Sequence, residues 1–301
     1  MHKHNHKENE LTQISPSSRR LIITVILNFI ITIAELIGGV LSGSLSLISD
    51  ALHNFSDGIA VILSYFAIKL KSKPKNEKYT FGYKRAEILT AVFNAAVLIG
   101  ISFYLFFESF KRINSPAIID GSLMLTVASI GLAANLTGTL LLKRDSAHSL
   151  NIRSAYLHLF SDTVSSAGVI LGGFLIYLYN ITWIDTLLTV LISMYIIKES
   201  YDIVKESITV LMMAAPPNLS IAEIENKLKK LKEVENIHHI HIWRINESDV
   251  HFEAHVEVPD ILVSQTERIL SNIESILKQE FNISHVTIQF ECDRCGVKEL
   301  I

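Results

Sequence analysis

The chain has 301 residues, of which 49% are hydrophobic and 19% charged, and its mean hydropathy is +0.35. That is too apolar for an ordinary soluble protein, in which about a quarter of the residues are charged. A net charge of −3 argues against nucleic acid as a partner, and two cysteines near the C-terminus provide no disulfide framework. The apolar excess fills residues 21–211, whereas the last 86 residues hold 15 Asp or Glu against 9 Lys or Arg. We therefore expect a histidine-containing tail over 1–18, a transmembrane domain over 19–211 and a cytoplasmic domain over 212–301.

A helix needs about 20 mostly apolar residues to cross roughly 30 Å of hydrocarbon. Six runs reach that length, near 21–41, 45–70, 86–110, 121–142, 155–179 and 183–203. Six exceed what a soluble core needs, so the expectation is an all-α bundle of six transmembrane helices. The first run is too long for a signal peptide and is not followed by a small-residue cleavage pattern. Turn chemistry separates the runs at Ser42-Gly43-Ser44, Lys73-Pro74, Ser115-Pro116 and Tyr179-Asn180.

Orientation follows from the basic residues. Lys69, Lys71, Lys73, Lys75, Lys78, Lys84 and Arg85 lie between the second and third runs, and Lys143, Arg144 and Arg153 between the fourth and fifth. Arg19 and Arg20 precede the first run, only Lys111 and Arg112 flank the 3–4 turn, and the other two connections have none. Basic loops stay inside, so both termini are expected in the cytoplasm of a multi-pass cell-membrane protein.

The tail reads as a small α+β unit. Ser220 with Glu223 three residues later forms a capping-box signature for a helix to about Leu231. Residues 236–245 and 250–258 alternate like strands around the turn Asn246-Glu247-Ser248-Asp249, 263–281 is helical, and 285–291 is a last strand. The order αββαβ places helices against one face of a sheet.

Ionisable groups inside membrane spans are costly, which makes each a functional candidate. His53 and Asp57 stand four residues apart in the second run, and His158 and Asp162 repeat that spacing in the fifth. Residues four apart share a helix face. Two such faces turned together offer two imidazoles and two carboxylates, a tetrahedral N/O set suited to Zn²⁺. One H-x-x-x-D is weak; two within a six-span chain are specific. Asp50 has two open readings, a partner fixing the His53 tautomer or a polar cap at the start of its helix. Glu35, deep in the first run, is the strongest pathway candidate among the other polar groups, which include Asn28, Glu87, Asn94, Glu108 and Asn135. Lys69 and Lys71 are expected to snorkel to the interface.

From about Arg19 to Glu291 the chain resembles the cation diffusion facilitator family. The matching segments run from Gly43 through Ser44, Leu45 and Asp50 to His53, from Tyr79 through Phe81, Gly82 and Arg85 to Ile88, from Asn151 through Arg153 into His158 and Asp162, and from His238 to Trp243, followed by His255 and Thr287-Ile288-Gln289. The resemblance implies a homodimer that exchanges cytoplasmic divalent cations for protons, with a ferredoxin-like cytoplasmic domain. Members with His at the first ligand position of the second helix are mostly zinc transporters, so His53 favours Zn²⁺. Co²⁺, Ni²⁺ and Cu²⁺ stay open, and a Co²⁺ or Cd²⁺ exporter of the same family is the alternative.

The resemblance also implies a regulatory metal site at His238 and His255, completed by Glu291 and by thiolates from Cys292 and Cys295. Gln289 stands where some members place His, which alters that site. Reduced surface cysteines are the equal alternative for the C-x-x-C pair. His2, His4 and His6 read either as a loose zinc collector or as a charged leader. The 4–5 loop holds only His148, so it lacks the long His-rich insertion of many eukaryotic members and suits a bacterial-type chain.

Two other classes use the same residues. An intramembrane metallohydrolase needs an open coordination position and a general base, and four protein ligands leave neither. A membrane metal sensor binds the ion without moving it. The chain is therefore expected to be a transporter and no enzyme.

Overall fold

The computed structural model describes residues 16–115, 117–143, 150–246, 249–292 and 299–300; the side chains of 16–25, 27, 61, 142, 150–155 and 158 lie outside that description. Six long helices come first: α1 (Pro16–Ser42), α2 (Leu45–Lys71), α3 (Ala86–Asn114), α4 (Gly121–Lys143), α5 (Leu150–Tyr179) and α6 (Trp183–Leu211). They are followed by α7 (Ile221–Leu228), β1 (Asn236–Arg244), β2 (Val250–Glu257), α8 (Val263–Phe281) and β3 (His285–Glu291). Among the described residues, the segments Leu45–Lys71, Ala86–Asn114, Gly121–Leu141 and Leu159–Tyr179 are long and apolar enough to cross a membrane. The described apolar stretch of α1, Asn28–Ser42, is shorter, and α6 carries Asp185, Lys198 and Glu199. Four of the six expected spans are thus identified by length and composition.

The chain separates into two compact units, one of Met1–Leu63 with Asn94–Tyr201, the other of Ser64–Phe93 with Asp202–Ile301. In the first, α4 packs between α1 and α5. Small residues set the approach: a Cβ at Gly121 would lie 2.8 Å from the Tyr177 backbone nitrogen, the close contact that membrane helices use in place of a hydrophobic driving force. The hydroxyls of Thr126, Ser129, Thr137 and Thr139 bond back to carbonyls one turn earlier on α4, which satisfies them without water.

One buried node fixes the start of α2. Helix α1 closes in a Schellman motif, with Gly43 at φ +74°, Gly43 N–H bonded to Val40 O, and Ser44 N–H to Gly39 O. Asp185, fully buried in the first turn of α6, then caps the next helix from outside. Its Oδ1 accepts from the Ser44 and Ser46 hydroxyls, each at 2.6 Å, and from Ser46 N–H at 3.1 Å, while Oδ2 accepts from Leu45 N–H at 2.9 Å. Arg112 of α3 donates to Gly43 O at 2.5 Å and stands 3.8 Å from Asp185. Three helices are tied at a point about 10 Å along α2 from His53.

In the second unit, β1 and β2 form an antiparallel hairpin and β3 joins β2 in parallel, in the order β1-β2-β3. Ile224 and Leu228 of α7 and Ile269, Ile273 and Leu277 of α8 pack on Ile240, Phe252, Ala254 and Val256 of the sheet. Ser220 caps α7 by accepting from Glu223 N–H, but the helix ends at Leu228, three residues earlier than expected. The hairpin turn is pinned by Asn246 Oδ1, which accepts from Asp249 N–H at 2.8 Å. Lys84 pairs with Asp249 at 2.9 Å, and the Phe81 ring meets His251 edge-on at 5.6 Å.

Removing the buried carboxylate with Asp185→Ala leaves two hydroxyls and two N–H groups without this acceptor and Arg112 without its counter-charge. Breaking such a pair costs about 3–5 kcal/mol, so the purified protein in detergent should show a clearly lower Tm; an unchanged Tm contradicts the role. A pH effect comes from His251. Burial, with His285 and Lys84 nearby, holds its imidazolium form below the usual histidine range. The unfolded chain therefore takes up this proton first as pH falls, so the contribution is complete above about pH 6.5 and declines below it. Partial burial opposes ionisation of Asp249, but Lys84 and Asn246 outweigh it and hold that carboxyl below its ordinary range. Its contribution persists until about pH 4. Unfolding at pH 7.5 and 5.5 should show a loss at 5.5 that His251→Phe reduces.

Candidate metal centre

The helical spacing read from the sequence brings three of the four membrane candidates together. His53 and Asp57 lie on one face of α2, and His53 Nε2 stands 3.7 Å from Asp57 Oδ2 and 4.0 Å from Asp162 Oδ1 of α5. His53 and Asp162 are buried, and Asp57 is half-buried. His158 occupies α5 one turn before Asp162; its side chain lies outside the described residues. Donors held tetrahedrally at about 2.0–2.2 Å are about 3.3–3.6 Å apart. Contraction by a few tenths of an ångström would bring the observed set to that spacing. The Tyr195 ring of α6 meets His53 edge-on at 6.3 Å, and Ser56 donates to Asn94 of α3 at 3.1 Å.

Asp50 has a third role that the sequence reading did not propose. It accepts from Ser165 at 2.6 Å and Ser166 at 3.1 Å, both on α5, and Asn135 of α4 donates to Ser166 at 3.3 Å. Asp50 therefore ties α2 to α5 one turn from His53. Asp185 was missed altogether. Its signal was present, since an acid in the first turn of an otherwise apolar run is costly. Lys71, expected to snorkel, pairs with Glu87 at 2.9 Å, and Glu108 pairs with Lys111.

A second cluster lies on the sheet. His238 and His255 are direct cross-strand partners, and Gln289 is opposite His255 on β3. Glu291 Oε2 lies 3.4 Å from His238 Nε2, and its Oε1 lies 3.1 Å from His255 Nδ1. One ligand atom from each of the three residues falls within 4.8 Å of the others. His238 is 1% exposed, and neither of its nitrogens has a hydrogen-bond partner among the described residues, as a poised ligand would. A bulge explains the inward aim: the β1/β2 register shifts between His238 and His241, with His239 at φ 55°, and such bulges re-aim side chains. Gln289 donates to Glu291 Oε1 at 2.6 Å, so it orients the carboxylate. The donor set fits a divalent ion with N and O preference. Cys292 follows directly and is exposed. Cys295, His2, His4, His6 and His148 lie outside the described residues.

Comparisons with known proteins identify the family. Residues 21–212 match the cation efflux transmembrane domain, and 216–292 match the cation efflux protein cytoplasmic domain. The metal cation efflux system protein CzcD of Cupriavidus metallidurans is 36% identical over 279 residues, 93% of this chain and 88% of that protein. A cadmium, cobalt and zinc/H(+)-K(+) antiporter of Bacillus subtilis is 38% identical over 293 residues, 96% and 92% of the two chains. The zinc transporter ZitB of Escherichia coli is 32% identical over 296 residues, 98% and 93%. With both domain models matched end to end, the chain belongs to the cation diffusion facilitator family.

Proposed function

We propose that the chain exports divalent cations, Zn²⁺ foremost, from the cytoplasm in exchange for protons, through a tetrahedral site of His53, Asp57, His158 and Asp162. The convergence of His53, Asp57 and Asp162 across α2 and α5 carries the reading. Two imidazoles and two carboxylates suit Zn²⁺ or Co²⁺ better than softer Cd²⁺, and relatives named for zinc and for cadmium, cobalt and zinc bracket the same set. The loop charges support six spans with both termini cytoplasmic, the transmembrane domain over 19–211 and the cytoplasmic domain over 212–301. The αββαβ order with parallel β2 and β3 supports the ferredoxin-like reading of that domain, and its match to a domain model named for dimerisation supports a homodimer.

The chemistry follows from the donors. Imidazole binds a metal only when neutral, so loading expels protons, and protons returning from the far side displace the ion. Rocking of one part of the bundle against another would expose the site alternately to each side. In the cytoplasmic domain, His238, His255 and Glu291 would hold a second ion that links β1, β2 and β3. Binding to the folded domain alone stabilises it by mass action.

Asp57→Ala or Asp162→Ala should lower Zn²⁺ flux into sealed vesicles at least tenfold while the protein still folds. Undiminished flux in either variant removes the assignment. Glu291→Ala in the full chain should reduce the bound Zn²⁺ from two ions to one per chain without stopping transport. An unchanged stoichiometry would remove the cytoplasmic site.

A further inference from the structure

We propose that Glu35 is a proton-carrying group of the transport cycle, set apart from the four metal donors. Its carboxyl would hold a proton while the metal site is empty and release it when the ion binds. The inference rests on the proton-coupled reading above.

Glu35 sits two turns before the end of α1 and is 1% exposed. Neither of its oxygens has a hydrogen-bond partner among the described residues. The bundle makes a place for it: a Cβ added at Gly131 of α4 would fall 1.8 Å from Glu35 Oε1. Any other residue at 131 would have to displace the carboxyl. The polar neighbour on α2 is Asn54, a neutral amide that only partly offsets the cost of ionising the carboxyl. Among the described residues, the charged groups within electrostatic reach are Asp50 on α2 and Asp162 on α5, both acidic. Helix α4 offers no ionisable side chain before Lys143 at its end. Ser165 and Ser166 of α5 donate to Asp50.

An ionised carboxylate with one amide neighbour and no cation in a low-dielectric interior costs several kcal/mol, whereas the neutral acid costs far less. Two nearby carboxylates add repulsion to the ionised form. Glu35 is therefore best occupied as –COOH in the metal-free bundle. Two positive charges arriving beside Asp162 remove much of that repulsion. The O–H bond of Glu35 then breaks, its electron pair stays on the carboxylate oxygen, and the proton leaves to water in the pathway. Departure of the ion reverses the step and reloads the proton from the side then open. No redox partner is involved.

The test uses full-length protein. Glu35→Gln keeps the shape of the neutral acid but cannot titrate. Calorimetry in buffers of different ionisation enthalpy counts the protons released per Zn²⁺ bound. Glu35→Gln should release about one fewer than wild type, and Glu35→Asp should restore the wild-type number. A wild-type count in Glu35→Gln overturns the proposal. If either variant fails to fold, infrared difference spectra of the wild type still decide: a protonated-carboxyl stretch should disappear on Zn²⁺ addition, and its absence overturns the proposal. An effect of Glu35→Gln that vanishes when choline replaces K⁺ also overturns it, in favour of an alkali-cation site. Wild-type protein that moves no Zn²⁺ would defeat the transport reading instead, so the two failures are distinguishable.

Discussion

A charge inside a low-dielectric helical bundle must be paired, neutralised or supplied with a ligand, and the membrane part of this protein is organised by that constraint. Its buried acids meet the requirement to different degrees. Asp185 is fully satisfied, with two hydroxyls, two backbone N–H groups and Arg112 around it, and it acts as a structural peg. Asp50 takes two serine donors and holds α2 against α5. Asp57 and Asp162 converge on one imidazole at distances that fit an intervening cation better than a direct hydrogen bond. Glu35 has a glycine-sized cradle and one amide neighbour, Asn54.

The pegs and the site depend on each other. His53 and Asp57 can face Asp162 only if α2 keeps its rotation, and the Asp185 node sets where that helix begins. Asp50 then sets the distance to α5 one turn before His53. A preorganised ligand set needs such outer support, because the aim of each ligand depends on the groups that hold it. On the sheet the same logic appears in water. The bulge at His239 turns His238 inward, and Gln289 steadies Glu291 beneath the two histidines.

Much of this was legible in the residues. Gly43 and Asn180 end α1 and α5 where the turn signals fell, both at positive φ, and α8 and β3 occupy the residues that their periodicity indicated. Helical spacing within the two H-x-x-x-D pairs anticipated that His53, Asp57 and Asp162 would lie near one another. The misses have physical causes. Helix α6 continues eight residues past its apolar run, to Leu211, because Glu199, Asp202, Lys205 and Glu206 end hydrophobicity without ending helix propensity. Helix α5 starts at Leu150, in a polar stretch that hydropathy ignores. The Asp185 cap and the Lys84–Asp249 pair join residues far apart in the chain, and no local pattern encodes such a partner. The bulge at His239 places a non-glycine residue at positive φ, which no turn signal announced.

The central claim is that the four-donor site moves a divalent cation one way while protons move the other. Simultaneous recording of Zn²⁺ and proton fluxes across sealed proteoliposomes, with a pH gradient imposed and then reversed, tests it most directly. The account predicts opposed fluxes in a fixed ratio that reverse together with the gradient. Zn²⁺ that binds without crossing, or crosses with no accompanying proton flux, would contradict it.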